Sequence, residues 1–317
     1  MKTETDWKTM PRGLVRTRKE NRVAWLLLDA PPANNYSHDM MRDLDEAILE
    51  ARFDGEVDVL VLAGAGEKFF CSGADIQTLA GADPDWKYAF CLHANETMLR
   101  LENTPKLVIA ALNGHCVGGG LEVALACDRR LGRRTAEGGK ESRFGLPEVN
   151  LGVLPGTGGT QRLSRLLGPD RALAWMAEGR LVGPDEALGE GLLHRLLDFE
   201  GFFAAVQEFA EGFCVPRKAA KAVGHIKRAV RGGTGLPLEA GLALERELQQ
   251  RLFESRVTRL LHPDLECWIA QFGFRLDPLD ERRGNLDLDI AVRHSGSSLQ
   301  PLKRLDERGK TIDATTL

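Results

Sequence analysis

The chain has 317 residues, of which 43% are hydrophobic and 28% are charged, values typical of a folded globular protein. Its formal net charge is −4 with both signs mixed along the chain, which argues against nucleic acid as a partner. The N-terminus lacks the apolar core of a secretory signal, and no apolar run is long enough to cross a bilayer. We therefore expect a cytoplasmic protein with no membrane partner.

The first half of the chain alternates between apolar strands and amphipathic helices. Ser37 can cap a helix over residues 38–52, in which apolar residues recur at helical spacing, and another helix is predicted from the triple glycine 118–120 to Cys127. The alternation predicts an α/β fold with mainly parallel strands. The predicted strands are residues 22–28, 57–63 and 107–112.

The second half is predicted to be mainly helical and to pack on the α/β half. Its apolar residues recur at helical spacing in several segments separated by glycine and proline. The predicted helices are residues 171–178, 184–188, 202–212, 219–231 and 237–254.

The cysteines give no sign of a metal centre or of a disulfide framework. None of the six forms a Cys-x-x-Cys pair, and His115 beside Cys116 has no further ligand at useful spacing. We expect reduced and mostly buried thiols, because free cysteine behaves as a small apolar residue.

Two glutamates close to glycine clusters are the main candidates for chemistry. Glu122 follows the triple glycine 118–120, and Glu148 follows the sequence Phe-Gly-Leu-Pro. A glycine-rich junction between a strand and a helix exposes unpaired backbone N–H groups at the positive end of the helix dipole. Paired carboxylates suit general acid–base catalysis, and such N–H groups suit a developing oxyanion. The pattern predicts chemistry on a carbonyl compound.

Competing motifs are incomplete. The glycines at 114–120 and 156–159 do not form a dinucleotide-binding fingerprint, and no nucleotide-binding P-loop is present. Ser72 lacks the first glycine of a hydrolase nucleophile elbow. His115 is interpreted as a packing or hydrogen-bonding residue rather than as a catalytic base.

Three further segments follow one another along the chain: residues 69–79 (Phe-Phe-Cys-Ser-Gly-Ala-Asp-Ile-Gln-Thr-Leu), 113–128 and 144–163. In this order they closely resemble the enoyl-CoA hydratase/isomerase (crotonase) superfamily, and its hydratases most of all. The similarity extends from about residue 23 to about residue 253. The resemblance implies a crotonase-like α/β fold, which is a spiral of ββα units with a helical C-terminal region.

The resemblance also implies roles for individual residues. The backbone N–H groups of Ala74 and Gly119 would form an oxyanion hole for a thioester oxygen. Glu122 would mainly activate water, and Glu148 would mainly protonate Cα. The positions expected to bind the acyl-CoA substrate are Ala33, Asn34, Gly73, Asp75, Ile76, Gly118 and Gly156.

Because both acids are glutamate, the resemblance favours reversible syn hydration of a 2-enoyl-CoA to a 3-hydroxyacyl-CoA. CoA would be part of the substrate, so neither a separate cofactor nor a metal is expected, and the implied assembly is a homotrimer or a dimer of trimers. The alternatives are enoyl-CoA isomerisation, a specialised dehydration or C–C hydrolysis on the same site. A non-enzymatic RNA-binding relative is a further alternative.

The predicted organisation is a crotonase-like core (residues 1–200), a helical region that packs between subunits (201–276) and a charged tail (277–317). The loop over residues 129–143 is longer than is usual in the family, and the tail replaces a segment whose basic residue often contacts CoA phosphate.

An aromatic cluster and an arginine cluster can each be interpreted either as part of the substrate site or as ordinary structure. Trp86, Tyr88 and Phe90 form either a wall of the acyl pocket or part of the core. The arginines at 129, 130, 133 and 134 either meet CoA phosphates or lie on a solvated loop.

Overall fold

The computed structural model describes residues 7–254 and the backbone of residues 304–305 and 311–312. The chain divides into two units, Met1–Leu252 and Phe253–Leu317. In the second unit, Arg304–Leu305 pairs antiparallel with Thr311–Ile312. The rest of the predicted tail and residues 255–276 lie outside the described residues, and the predicted boundaries at 200 and 276 stay predictions.

Strands and helices alternate along the first unit. The strands are β1 (Lys8–Thr9), β2 (Val15–Glu20), β3 (Val23–Leu28), β4 (Val59–Gly64), β5 (Phe69–Cys71), β6 (Leu107–Leu112), β7 (His115–Val117), β8 (Arg129–Arg133), β9 (Phe144–Gly145), β10 (Leu181–Val182) and β11 (Arg195–Leu197). The helices are α1 (His38–Phe53), α2 (Ile76–Ala80), α3 (Pro84–Glu102), α4 (Gly119–Leu125), α5 (Gly159–Leu167), α6 (Pro169–Ala177), α7 (Pro184–Gly189), α8 (Phe202–Glu211), α9 (Ala220–Gly233) and α10 (Leu238–Phe253), with a 3-10 helix at Glu148–Leu151.

Successive turns of the chain repeat one pattern of two strands and a helix. In the three turns that start at β4, β6 and β8, the first strand joins a seven-stranded sheet of order β1-β2-β3-β4-β6-β8-β11, and the second joins a four-stranded sheet of order β10-β9-β7-β5. Strands β4, β6 and β8 pair in parallel, and so do β5, β7 and β9. This arrangement confirms the predicted spiral of ββα units.

The large sheet is buried on both faces, as expected for parallel strands. Along β4, Leu60 and Leu62 belong to the core that includes α1, whereas Val59 and Val61 pack with α8. The alternation follows from the two-residue period of a strand. All six residues of β4 and of β6 are buried, so these strands form a rigid base for the loops at their C-terminal ends.

Most local predictions are confirmed. The Ser37 side chain accepts a hydrogen bond from the Met40 N–H and caps α1, and β6 spans the predicted residues 107–112. The long helix α3 was not predicted from the sequence. It starts at Pro84 behind an Asp83 cap, and its apolar residues do not form one clear stripe.

The prediction of a solvated loop for the arginine cluster is wrong over residues 129–133, which form β8 inside the large sheet. Arg130 is only 3% exposed. Its guanidinium donates hydrogen bonds to the carbonyl oxygens of Leu192 (2.8 Å) and Cys127 (3.0 Å). A charged residue is therefore buried here because it satisfies backbone carbonyls.

Asn113 links two turns of the spiral, and its replacement is expected to destabilise the fold. Its fully buried side chain accepts from the Gly64 N–H (3.0 Å) and donates to the carbonyl oxygens of Gly64 and Gly66 (both 2.9 Å). Asn113→Ala leaves these backbone groups unpaired, so we expect a loss of about 2–3 kcal/mol in the free energy of unfolding. Denaturant titration measures it, with exposed Asn103→Ala as the control.

Candidate active site

The triple glycine brings α4 against β5, where a side chain would not fit. Gly118 has a φ of +56°, a region that favours glycine. A Cβ atom on Gly120 would lie 2.0 Å from the Cys71 carbonyl oxygen, and one on Gly119 would lie 2.3 Å from the Tyr36 hydroxyl. The glycines therefore allow the start of α4 to approach the segment that carries Ala74.

The two N–H groups predicted to hold an oxyanion lie on neighbouring segments. A Cβ on Gly73 would lie 2.9 Å from the Gly119 nitrogen, and Gly73 itself has a φ of +97°. Within residues 7–254, no backbone or side-chain hydrogen bond uses the N–H of Ala74 or Gly119. Two unpaired donors side by side are suited to a carbonyl oxygen that gains negative charge. Their catalytic role stays a prediction.

Glu122 is held by several hydrogen-bond donors. Its Oε1 accepts from the backbone N–H groups of Thr157 (2.8 Å) and Gly159 (2.7 Å), and its Oε2 accepts from the Thr157 hydroxyl. Burial raises the pKa of the carboxyl above its ordinary value, and these donors and the Arg162 charge make that rise smaller. Because donors aimed at a carboxylate favour its ionised form, these hydrogen bonds support Glu122 as a base.

Glu148 has different surroundings. It lies at the start of the 3-10 helix, and its buried Oε2 has no hydrogen-bond partner among the described residues. Burial is the main cause that raises the pKa of this carboxyl to about 7, and the neighbouring charge of Glu122 adds to the effect. A carboxyl with a pKa near neutrality keeps a proton that it can donate. The two environments thus favour a base at 122 and an acid at 148.

The remaining predicted substrate positions fall into two groups. Asn34 is buried, and its side chain is used within the fold, donating to the carbonyls of Ala65 and Phe69 (both 3.0 Å). The Ala33 carbonyl accepts from the Ser72 N–H. These two residues therefore brace the segment before Gly73, and substrate contact by either stays a prediction.

Other predicted positions are open to solvent. Asp75 caps α2 by accepting from the Gln77 N–H, and Ile76 is 60% exposed in the first turn of α2. Gly156 is also exposed, and a Cβ there would lie 3.7 Å from the Cys91 sulfur. Gly156 precedes Thr157, whose N–H donates to Glu122, and the contact of Asp75, Ile76 and Gly156 with acyl-CoA stays a prediction.

Of the three residues in the aromatic cluster, only Phe90 lies in the core, and the acyl-pocket wall stays a prediction. Phe90 is buried against Tyr36 and stacks on Trp86 with ring centroids 5.4 Å apart. Tyr88 is 73% exposed and belongs to neither the core nor this stack. The cluster is therefore core at Phe90, while Trp86 lies at the surface.

The segment that follows the long loop lies beside the triple-glycine segment, where a Cβ on Gly118 would lie 3.2 Å from Glu148 Oε1. The loop ends where β9 pairs in parallel with β7, and the Gly118 N–H donates to the Gly145 carbonyl (2.9 Å). His115 accepts from the Arg143 N–H at Nδ1 (3.0 Å), as expected of a hydrogen-bonding residue, and burial lowers the pKa of its imidazole.

Sequence reasoning missed two residues of the site, Tyr36 and Thr157. Tyr36 is 2% exposed, and its hydroxyl lies 2.9 Å from the Thr157 hydroxyl, which in turn contacts Glu122. Thr157 lies inside a motif that carries the resemblance, although only the glycines of that motif point to a role in the sequence. Tyr36 is distant in sequence, and no local signal marks it.

The described part of the chain contains neither a cluster of metal ligands nor a membrane-spanning helix. Among its residues, no three His, Cys, Asp or Glu side chains are grouped so as to hold a metal ion. No helix within the same residues combines the length and the apolar character needed to cross a bilayer.

Sequence comparison shows the family to which this ββα spiral with its pair of glutamates belongs. The profile of the family described as enoyl-CoA hydratase/isomerase matches residues 18–260. The chain belongs to this family, also called the crotonase superfamily.

Individual relatives include curated enzymes and solved structures. The short-chain-enoyl-CoA hydratase of Clostridium acetobutylicum is 37% identical over 230 residues, covering 72% of this chain and 85% of the relative. The crotonyl-CoA hydratase of Syntrophomonas wolfei is 32% identical, covering 72% and 85%. The crystal structure of enoyl-CoA hydratase from Bacillus anthracis superimposes with a TM-score of 0.73 at 30% identity, covering 81% of this chain and 96% of that one.

Proposed function

We propose that the protein is an enoyl-CoA hydratase that adds water reversibly to a 2-enoyl-CoA and yields a 3-hydroxyacyl-CoA. The observation that carries the proposal is the contrast between the two glutamates. Glu122 is surrounded by donors, whereas Glu148 keeps a buried carboxyl oxygen without a partner among the described residues and has a pKa raised to about 7. Hydration needs both a base for water and an acid for carbon.

The reaction follows from this arrangement. The Glu122 carboxylate takes a proton from water as the water oxygen bonds to Cβ. The negative charge that develops on the thioester oxygen is stabilised by the N–H groups of Ala74 and Gly119, each worth about 3 kcal/mol in comparable acyl chemistry. Glu148 gives its proton to Cα, and exchange with solvent restores the starting protonation of both carboxyls.

The supporting roles follow from the same scheme. CoA is the carrier part of the substrate, and the proposed chemistry uses no separate cofactor. Gly73, Gly118 and Gly156 would let the thioester approach the backbone, and Ala33, Asn34, Asp75 and Ile76 would border the path of the CoA. A cytoplasmic location fits such a substrate and forms part of the proposal.

We also propose a homotrimer, or a dimer of trimers, as the working assembly. The segment after Glu148 and helix α6 expose several large apolar side chains, including Leu151, Leu154 and Leu173, which are 63%, 67% and 66% exposed. Apolar surface of this kind is favourably buried between subunits. Light scattering of the purified protein measures its mass in solution.

Product analysis in ¹⁸O-labelled water tests the hydratase proposal. With crotonyl-CoA as substrate, we expect one labelled oxygen at C3 of 3-hydroxybutyryl-CoA, with the thioester intact. An unlabelled positional isomer would identify an isomerase, and free CoA with a labelled acid would identify a hydrolase. Either of these products in place of the hydroxyacyl-CoA would contradict the proposal.

The pH dependence should follow the single proton carried by the pair. Hydration needs ionised Glu122 with protonated Glu148, and the reverse reaction needs the opposite arrangement, so the active pair holds one proton in both directions. Because the pKa of Glu148 is raised to about 7, kcat/KM should fall as the pH rises through about 7. Because the equilibrium constant of hydration does not depend on pH, dehydration must show the same alkaline limb, and initial rates of hydration measured across pH check its position. A kcat/KM that stays constant or rises through about pH 7 would contradict the protonated state assigned to Glu148.

A further inference from the structure

Tyr36 contacts both segments that carry the candidate oxyanion donors. Its backbone N–H donates to the Gly73 carbonyl (3.0 Å), and its carbonyl accepts from the Asp75 N–H (3.1 Å). These two bonds form an isolated parallel bridge between Tyr36 and Ala74. In a parallel bridge of this kind, Tyr36 bonds to the residues before and after Ala74 and not to Ala74 itself. The N–H of Ala74 is therefore left out of the bridge and remains available to a ligand.

The side chain of Tyr36 reaches the second donor. Its ring lies against Gly119, where a Cβ atom would meet the Tyr36 hydroxyl at 2.3 Å and the nearest ring carbon at 2.6 Å. The same hydroxyl lies 2.9 Å from the Thr157 hydroxyl in a buried environment. One residue thus supports Ala74 through its backbone and Gly119 through its ring.

The direction of the hydrogen bonds between Tyr36, Thr157 and Glu122 is fixed by their chemistry. An ionised carboxylate only accepts hydrogen bonds, and a threonine hydroxyl has one proton to donate. Thr157 must therefore donate to Oε2 of ionised Glu122, with which it makes a short contact. Its remaining capacity is to accept, so the Tyr36 hydroxyl donates to it.

We propose that Tyr36 and Thr157 are positioning residues of the hydratase, forming a hydrogen-bond relay that orients Glu122 as the base and ties it to both oxyanion donors. The proposal rests on the proposed function. It goes beyond that function because neither residue touches the reacting atoms in the scheme above. The relay would hold the base and the oxyanion site in one fixed geometry, which reaction at a bound thioester requires.

Several charged or titratable groups face Glu122 and bear on its protonation. They are Tyr36, Cys91, Glu148 and Arg162. The Arg162 guanidinium already forms an ion pair with Glu102 (2.8 Å) and donates a hydrogen bond to the Thr157 carbonyl (3.1 Å). None of these groups replaces the hydroxyl donor at Oε2, so removing the Thr157 hydroxyl should disfavour ionised Glu122.

The test compares Thr157→Val, Thr157→Ser and Tyr36→Phe with wild type, using crotonyl-CoA. For Thr157→Val we expect kcat to fall about 10- to 100-fold, since a hydrogen bond to a charged group is lost, and the acid limb of kcat/KM to move to higher pH. Thr157→Ser should recover most of that loss. Tyr36→Phe, which loses only a neutral hydrogen bond, should reduce kcat about 3- to 10-fold. Thr160→Val is the matched control, because the Thr160 hydroxyl contacts Gln161 and not Glu122.

An infrared titration of the glutamate carboxyls gives a readout that does not depend on turnover. The band that disappears in Glu122→Gln belongs to Glu122, and its midpoint should lie at higher pH in Thr157→Val than in wild type. An unchanged midpoint together with an unmoved acid limb would overturn the relay. If wild type hydrated no enoyl-CoA but the midpoint shifted, the proposed function would fail and the relay would stand. Tyr36→Phe and Thr157→Ser, which change the packing little, keep the test valid if Thr157→Val does not fold.

Discussion

Glu148→Gln is expected to lower kcat for hydration of a 2-enoyl-CoA by about 10²–10⁴-fold, the usual contribution of one acid–base group. Glutamine matches glutamate in shape but cannot give a proton to Cα. Binding of a saturated acyl-CoA such as butyryl-CoA should be nearly unchanged, because the scheme assigns Glu148 no contact with the CoA carrier. Stopped-flow kinetics and calorimetry measure the two quantities. Glu137→Gln, a change on an exposed loop, is the control.

Glu148→Gln should also make the folded protein more stable than wild type above neutral pH. The folded-state pKa of Glu148 is raised from its ordinary value of 4.5 to about 7, mainly by burial. A raised carboxyl pKa means that the folded state loses stability as the pH rises from about 4.5 to about 7. Glutamine removes this loss, so the Tm difference should be near zero at about pH 4 and positive at about pH 8. A variant that is inactive and also less stable at the higher pH would contradict the buried, unpartnered carboxyl.

Glu122→Gln is expected to cause a loss of similar size, about 10²–10⁴-fold in kcat, for a different reason. The backbone N–H groups of Thr157 and Gly159 can still donate to the glutamine oxygen, so the side chain stays in place. The amide nitrogen would donate to Thr157 instead of accepting from it, and no base would remain to deprotonate water. Steady-state kinetics with crotonyl-CoA measure the loss.

Combining the two substitutions tests whether the glutamates act as one unit. Groups that serve a single step are strongly non-additive. We therefore expect the double variant Glu122→Gln/Glu148→Gln to be about as slow as the slower single variant. Losses that multiply would instead show that the two carboxyls act in separate steps, and would contradict the proposed scheme.

The parts of the fold set by local sequence could be predicted. Ser37 caps α1 and residues 107–112 form β6, because a cap and a short apolar run act within a few residues. Strand β8 could not be predicted, since its arginines suggest a solvated segment. Arg130 is buried because the carbonyl groups of Cys127 and of the distant Leu192 accept its hydrogen bonds, and the contact with Leu192 is not visible in the local pattern.

In the site, too, the residues in local motifs could be predicted, whereas contacts between distant residues could not. Glu122 and Glu148 stand in glycine-marked motifs and were identified from the sequence. The relay was not, because Tyr36 and Thr157 are 121 positions apart and meet only through the fold. The difference between the two carboxyls also depends on folding, since it comes from the donors around Glu122 and from the buried, unpartnered oxygen of Glu148.

The most direct measurement of the central claim is the loss of conjugated enoyl-thioester absorbance with crotonyl-CoA, recorded side by side for wild type, Glu122→Gln and Glu148→Gln. We predict rapid loss with wild type, formation of 3-hydroxybutyryl-CoA, and rates about 10²–10⁴-fold lower in each variant. Wild-type rates in either variant, or no loss of absorbance with wild-type protein, would contradict hydration by this pair of glutamates.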